Sequence, residues 1–172
     1  GRARGRRVVV CDWLEVGEKW RNLADIDLFD IISPPALPAF LDCHQGRIDA
    51  IIHMGAISAT TERDGDRLVE NNIRLSIDLW EWCARYDTAF IYASSAAVYG
   101  DGAEGFDDDG SVSALARLRP LNAYGWSKLA IDRRFARDVA EGARTPHHWA
   151  GLRFFNVYGP REAHKGRMAS VA

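Results

Sequence analysis

Apolar residues in this chain follow two patterns, short unbroken runs and longer stripes at steps of three and four. Arg7-Val8-Val9-Val10-Cys11-Asp12 is a β-branched run without alternation, the mark of a parallel strand covered on both faces, and it closes on an acid. Pro34 to Gly46 reads as a short helix, with the Pro34-Pro35 pair at its start and Gly46 past its end. Ile48-Asp49-Ala50-Ile51-Ile52-His53-Met54 predicts a second buried strand. It runs into Gly55 and Ala56, small residues that let a ligand approach the backbone closely.

Gly65 to Asp87 carries the longest helical stripe, with Leu68, Asn72, Leu75, Leu79, Trp82 and Tyr86 tracking one face. Asn71 and Asn72 interrupt it. An amide inside a packed helix needs partners, so one of the two is expected either to bridge backbone groups or to reach a ligand. Ala89 to Ala93 is a third strand, and its carboxyl end delivers Ser94-Ser95-Ala96-Ala97-Val98-Tyr99-Gly100. Asp101 to Arg119 is polar and glycine-rich, with an acid run at Asp107-Asp108-Asp109, and predicts a solvated surface loop. Pro120-Leu121-Asn122 opens a helix whose buried face is expected at Ile131, Phe135 and Val139. Trp149 to Asn156 is a fourth strand, breaking into a turn at Val157-Tyr158-Gly159-Pro160-Arg161. Strands alternating with helices predict an α/β fold with a doubly wound parallel sheet, whose ligands bind at the carboxyl ends of the strands. Asp12, Gly55, Ser95 and Asn156 stand at such ends and converge by topology.

Composition narrows the function classes. At 172 residues and 47% hydrophobic content the chain can bury one substantial core. A formal net charge of −2 does not suit a general nucleic-acid or membrane binder. The four arginines within Gly1 to Arg7 have no interleaved aromatics and no second basic cluster behind them. Cys11, Cys43 and Cys83 are odd in number and lie in apolar runs, which predicts buried reduced thiols in a cytoplasmic protein. No apolar run approaches a membrane span, and no signal-peptide pattern is present. His147-His148 and His164 have no cysteine or carboxylate cluster at ligand spacing, so no metal is expected. The chain opens on Gly1, enters a strand almost at once and stops at Ala172 within an apolar run, which predicts an internal piece of a longer protein.

The candidate chemistry centres on Tyr124-Gly-Trp-Ser-Lys128. A tyrosine and a lysine four apart on a helix lie one above the other on one face. A free phenol titrates near ~10, and an ammonium beside it favours the phenolate, so such a pair can exchange a proton with a hydroxyl near neutral pH. The same spacing also suits a packed ring beside a solvated charge, and the motif gains weight only from its neighbours. Asp12 is placed like the acid that hydrogen-bonds an adenosine ribose at the end of a second strand. A plain loop aspartate is the other reading.

Ser94-Ser95-Ala96-Ala97-Val98-Tyr99-Gly100, Tyr124-Gly-Trp-Ser-Lys128 and Arg153-Phe-Phe-Asn156-Val-Tyr-Gly-Pro-Arg161 resemble, in order and spacing, the successive motifs of the extended short-chain dehydrogenases/reductases, the nucleotide-sugar epimerases and dehydratases. The dehydratase branch typically places an Asp-Glu pair after its catalytic hydroxyl, whereas Ser95 is followed by Ala96 and Ala97. Gly55-Ala-Ile-Ser-Ala-Thr-Thr-Glu62 and Gly159-Pro-Arg-Glu-Ala-His-Lys165-Gly-Arg-Met-Ala-Ser-Val-Ala172 resemble the ADP-L-glycero-D-manno-heptose 6-epimerase branch.

That resemblance implies a partial Rossmann-like NAD(P)-binding domain over residues 1–172, ending at the start of the substrate-binding region. It lacks the first strand with its Gly-x-x-Gly-x-x-Gly turn and the C-terminal substrate domain. For the whole protein it implies epimerisation at C6 of ADP-D-glycero-β-D-manno-heptose by transient oxidation and hydride return, in lipopolysaccharide inner-core biosynthesis. Tyr124 and Lys165 would be the two acid/base groups, Lys128 would hold the nicotinamide ribose, and Ser95 would hydrogen-bond the reacting oxygen. Asp12, Trp13, Lys19, Met54, Gly55, Ala56, Ile57, Ser58, Asn71 and Val157 carry over as further cofactor contacts, and Asn156 and Arg167 as substrate contacts alongside Ser95. Lys19 favours NADP, with NAD as the alternative. The resemblance also implies a homo-oligomer for the whole protein, and an inactive chain for the piece taken alone. A sister nucleotide-sugar epimerase or reductase, and a non-catalytic remnant, are the competing readings. Of 22 basic residues only Lys19, Lys128 and Lys165 are lysines, and arginine cannot shuttle a proton.

Overall fold

The computed structural model describes residues 7–159, so the segment carrying His164, Lys165 and Arg167 lies outside the described residues. The chain divides into two compact units, Gly1–Gln45 with Asn156–Ala172, and Gly46–Phe155.

In the first unit β1 (Val9–Cys11) pairs in parallel with β2 (Asp30–Ile32), Val10 opposite Ile31. β2 has no counterpart in the sequence reading, because three residues are too few to show a period. A 3-10 turn at Pro34–Ala36 leads into α1 (Leu37–Cys43), with proline at the start of each, where its missing N–H costs nothing. The strand expected to be covered on both faces is only half-buried in β1, which has one hydrogen-bonded neighbour among the described residues. The expectation of three buried thiols fails with it. Cys11 and Cys43 are exposed, since β1 has a bare edge and α1 buries Leu41 alone; Cys83 is the buried one.

The second unit is a parallel sheet in the order β3 (Ala50–His53), β4 (Ala89–Ser95), β5 (Trp149–Phe154). The crossover from β3 to β4 is one long helical path: α2 (Gly65–Leu68), a π turn at Val69–Arg74, and α3 (Leu75–Tyr86). Asp64 caps its start by accepting from Arg67 N at 3.0 Å. The π turn resets the phase of the stripe. Leu68 and Asn72 are buried as expected, but the inward face then continues through Ser76, Leu79, Trp80 and Cys83, while Leu75, Trp82 and Tyr86 are only half-buried. A wider turn shifts the inward face to later residues than a uniform 3.6-residue period would choose.

The crossover from β4 to β5 passes through α4 (Val112–Arg117) and α5 (Ala123–Ala140). α4 corrects the expectation of a solvated loop over 101–119. Ser111 caps it, and Ala114, Leu115 and Leu118 are buried, the two leucines in a cluster with Val98, Tyr99 and Leu129. Six helical residues are too few to reveal a stripe amid polar neighbours. On α5 the buried side chains are Ser127, Lys128, Leu129, Ile131, Asp132 and Phe135. Val139, expected inside, is 47% exposed, because the covered stretch of the helix stops at Phe135. The core centres on Trp80 of α3 stacked on Phe135 of α5 at 4.1 Å, both edge-on to Phe90 of β4. Burial of such rings contributes about 2–3 kcal/mol each.

Candidate active site

Ser95 ends β4, and its Oγ accepts from Ala97 N at 3.1 Å, capping the 3-10 turn Ala96–Tyr99. That bond uses a lone pair and leaves the hydroxyl proton free to be donated. Asn122 caps α5 by accepting from Gly125 N at 2.8 Å. A Cβ on Gly125 would sit 2.7 Å from Ala97 O, so only glycine lets the first turn of α5 lie this close to the turn behind Ser95. Capping and close approach together bring Tyr124 and Lys128 beside the end of β4.

Tyr124 is half-buried and Lys128 buried, with the ammonium 6.0 Å from the Tyr124 ring centroid. Lys128 Nζ donates to Ala93 O at 2.7 Å. Burial pushes its pKa down to about 8, against the pull of the Asp132 carboxylate. An ammonium carries three protons, and among the described residues only Ala93 O is matched to one of them. The remaining donors, with the Ser95 hydroxyl, form a donor set that fits ribose hydroxyls and a reacting oxygen.

Asn72 is the asparagine that bridges. Its Oδ1 accepts from Ile57 N at 2.9 Å, while Nδ2 donates to Ile57 O and to Ser127 Oγ, both at 3.0 Å. It thereby ties the segment after β3, which carries Gly55, Ala56, Ile57 and Ser58, to α5. Asn71 points outward and donates to Arg67 O at 2.8 Å. His53, at the end of β3, hydrogen-bonds Ser76 Oγ at 2.9 Å, and Ser76 Oγ donates to Asn72 O. Burial, with the charge of Lys128 adding to it, lowers the His53 pKa to about 4, so this histidine is neutral. Met54 is 44% exposed, and a Cβ on Gly55 would meet nothing within 4 Å, so this strand end lies open.

In the other unit Lys19 Nζ reaches Asp12 Oδ1 at 2.9 Å and Trp13 O at 2.7 Å. Trp13, Asn156 and Val157 are exposed. The structure thus gathers Met54, Gly55, Ala56, Ile57, Ser58, Ser95, Tyr124 and Lys128 in one unit, and Asp12, Trp13, Lys19, Asn156 and Val157 in the other. Two parts of the site escaped the sequence reading. His53 sat unremarked in an apolar strand. Asp132, with Tyr92, Ser94 and Arg153 around it, carried a usable signal: it stands four residues after Lys128 and eight after Tyr124, on their face of α5. Among the described residues no group of histidines, cysteines and carboxylates could hold a metal ion, and no helix is long and apolar enough to cross a membrane.

Known proteins share this sequence and fold. Over 167 residues the chain is 46% identical to the ADP-L-glycero-D-manno-heptose-6-epimerase of Fusobacterium nucleatum, covering 95% of this chain and 49% of that protein. The crystal structure of the Helicobacter pylori ADP-L-glycero-D-manno-heptose-6-epimerase superposes with a TM-score of 0.73 at 29% identity, over 95% of this chain and 51% of that one. The Thermus thermophilus UDP-glucose 4-epimerase, solved as a complex with NAD, gives 0.67 at 25% identity, over 92% and 50%. The chain therefore spans about half the length of the curated relatives it matches, and its parallel sheets carry the Rossmann-like α/β fold of these epimerases in part. The profile of the NAD dependent epimerase/dehydratase family matches residues 2–172, and the chain belongs to that family.

Proposed function

We propose that this protein epimerises C6 of the heptose in ADP-D-glycero-β-D-manno-heptose, giving the L-glycero sugar used in the lipopolysaccharide inner core. The observation that carries the reading is the placement of Tyr124 and Lys128 beside Ser95, made close by Gly125, in a chain 46% identical to a heptose epimerase. A nicotinamide cofactor, when bound, supplies the hydride acceptor and later the donor.

The residues of this chain do the rest. Tyr124 takes the proton from the C6 hydroxyl as the carbon is oxidised, and the Ser95 hydroxyl donates a hydrogen bond to the same oxygen as negative charge builds there. Lys128 holds the ribose next to the reacting centre and keeps a positive charge near the Tyr124 ring. The open backbone at Gly55 and Ala56, fixed through Ile57 by Asn72, would pass beside the cofactor, with Met54, Ser58 and Asn71 at its borders. Lys165 would return a proton on the opposite face, and Arg167 and Asn156 would hold the sugar nucleotide. Asp12, with Trp13 and Val157, would receive the adenosine ribose. The Lys19 ammonium beside Asp12 supports NADP ahead of NAD, since a 2′-phosphate needs a cation where the carboxylate alone would repel it.

The test is conversion of the ADP-heptose by the full-length protein, followed by NMR of the sugar. Tyr124→Phe and Lys165→Ala should each lower turnover by roughly 10²-fold or more, the usual weight of a positioned acid or base. A Lys165→Ala protein that epimerises the heptose at the parent rate would overturn the two-base reading and favour a sister enzyme with a single base.

A further inference from the structure

Asp132 is a buried ionisable group that the proton transfers above leave without a task. It is 6% exposed and lies one helical turn beyond Lys128. Tyr92 donates to its Oδ1 at 2.9 Å and Ser94 to its Oδ2 at 2.8 Å, while Arg153 Nε stands 3.5 Å away. Arg153 also donates to Tyr99 Oη at 2.9 Å and to Asp107 O at 3.3 Å, so Asp132 shares it with two further acceptors. Tyr92 and Ser94 flank Ala93, whose carbonyl holds Lys128. Three successive residues of β4 therefore grip the carboxylate and the ammonium of one turn of α5. Room for this is built in: a Cβ on Gly151 of β5 would come within 2.8 Å of Tyr92 Cε1.

Buried charges persist only when paired or well hydrogen-bonded. The charged and titratable groups around Lys128 are Asp132 and Tyr124 on its own helix, His53 on β3, and Arg153 on β5 acting through Asp132. His53 is neutral and Arg153 is a cation, so Asp132 is the carboxylate among them; burial pushes its pKa up, and the hydrogen bonds from Ser94 and Tyr92 with the charge of Arg153 hold against that rise.

We propose that Asp132 is a positioning residue for Lys128: an ionised carboxylate, clamped to β4 through Tyr92 and Ser94, that keeps the Lys128 ammonium charged and fixed at the strand end. Its catalytic consequence rests on the reading of Tyr124 and Lys128 as a proton-transfer pair. Its physical content does not, and can be read without cofactor or substrate.

With 13Cε-labelled lysine in the full-length protein, the signal lost in a Lys128→Arg variant is that of Lys128, and it can be titrated by NMR. In the parent its midpoint should lie near 8. Asp132→Asn keeps the shape and at least one hydroxyl partner but removes the charge, and should lower the midpoint by about one pH unit or more, a roughly tenfold rise in neutral lysine at fixed pH. Asp132→Glu should restore most of it. A folded Asp132→Asn protein whose Lys128 midpoint is unchanged would overturn the proposal and leave Asp132 a purely structural clamp. If Asp132→Asn fails to fold, the double variant with Lys128→Met decides: recovery of the fold is expected when the fault is an uncompensated ammonium, and a double variant that also fails to fold overturns the proposal. The heptose assay fails or succeeds independently of these outcomes.

Discussion

Asn72→Ala is the sharpest single perturbation of this architecture. Asn72 is fully buried, and its amide makes hydrogen bonds to Ile57 N, Ile57 O and Ser127 Oγ at 2.9, 3.0 and 3.0 Å. Alanine removes all three and leaves both backbone groups of Ile57 without these partners. A net loss of about 1 kcal/mol per hydrogen bond, with part of the desolvation cost of the orphaned groups and a small cavity, predicts roughly 3–4 kcal/mol of destabilisation. For a chain of this size that lowers the Tm by about 6–16 °C. Urea melts followed by tryptophan fluorescence measure the difference. Asn71→Ala is the matched control, because Asn71 is exposed and makes one bond within its own helix, to Arg67 O; it should cost under ~0.5 kcal/mol. Asn72→Ala should also weaken nicotinamide binding, since Ile57, which it holds, follows the strand end where the cofactor is proposed to lie. Equal stabilities for the two alanine variants would refute the assignment of Asn72 as the bridge between this segment and α5.

Two further outcomes follow from the site. The His53 pKa falls from 6.5 in the unfolded chain to about 4 in the fold, so the unfolded state binds the extra proton first as pH drops. The stability conferred by a neutral His53 is complete above ~6.5 and is lost between there and ~4, about 3 kcal/mol in all; urea melts across this range should show the loss, and His53→Gln should flatten it. Gly125→Ala gains about 1 kcal/mol of helix propensity but drives a Cβ to 2.7 Å from Ala97 O, so a net destabilisation of about 1–2 kcal/mol is expected. A rise in Tm for that variant would mean that the close approach of α5 to the Ser95 turn is not tight.

Much of the fold is written in local patterns. The strands Ala50–His53, Ala89–Ser95 and Trp149–Phe154 lie within apolar runs, and Pro120-Leu121-Asn122 marks the start of α5. What the patterns hide are features shorter or less regular than a period. β2 and α4 are too brief for a stripe, and the π turn at Val69–Arg74 moves the buried face to Trp80 and Cys83, which a 3.6-residue step counted from Leu68 would not select. Polar burial is hidden for another reason. The stripe puts Asn72 on the inward face, but no local pattern names its partners, because Ile57 and Ser127 are brought to it only by the fold.

The buried polar residues also explain why this part of the molecule is built at some cost. His53, Asn72, Ser76, Ser94, Ser127, Lys128 and Asp132 are all buried, and all lie on β3, β4 or the helices that follow them. Each needs a partner, and an apolar core of the same shape would dispense with the whole set. Two hydrogen-bonded clusters satisfy six of them, and Lys128 donates to Ala93 O. One runs from His53 through Ser76 and Asn72 to Ser127, which donates to Tyr124 O at 2.7 Å. The other runs from Tyr92 and Ser94 through Asp132, one helical turn from Lys128. The clusters thus converge on the backbone of Tyr124 and on the turn of α5 that follows Lys128, whose ammonium is held by Ala93 O between Tyr92 and Ser94. Buried networks of this kind rigidify what they hold, and here they brace the turn of α5 that carries the two groups proposed to transfer the proton.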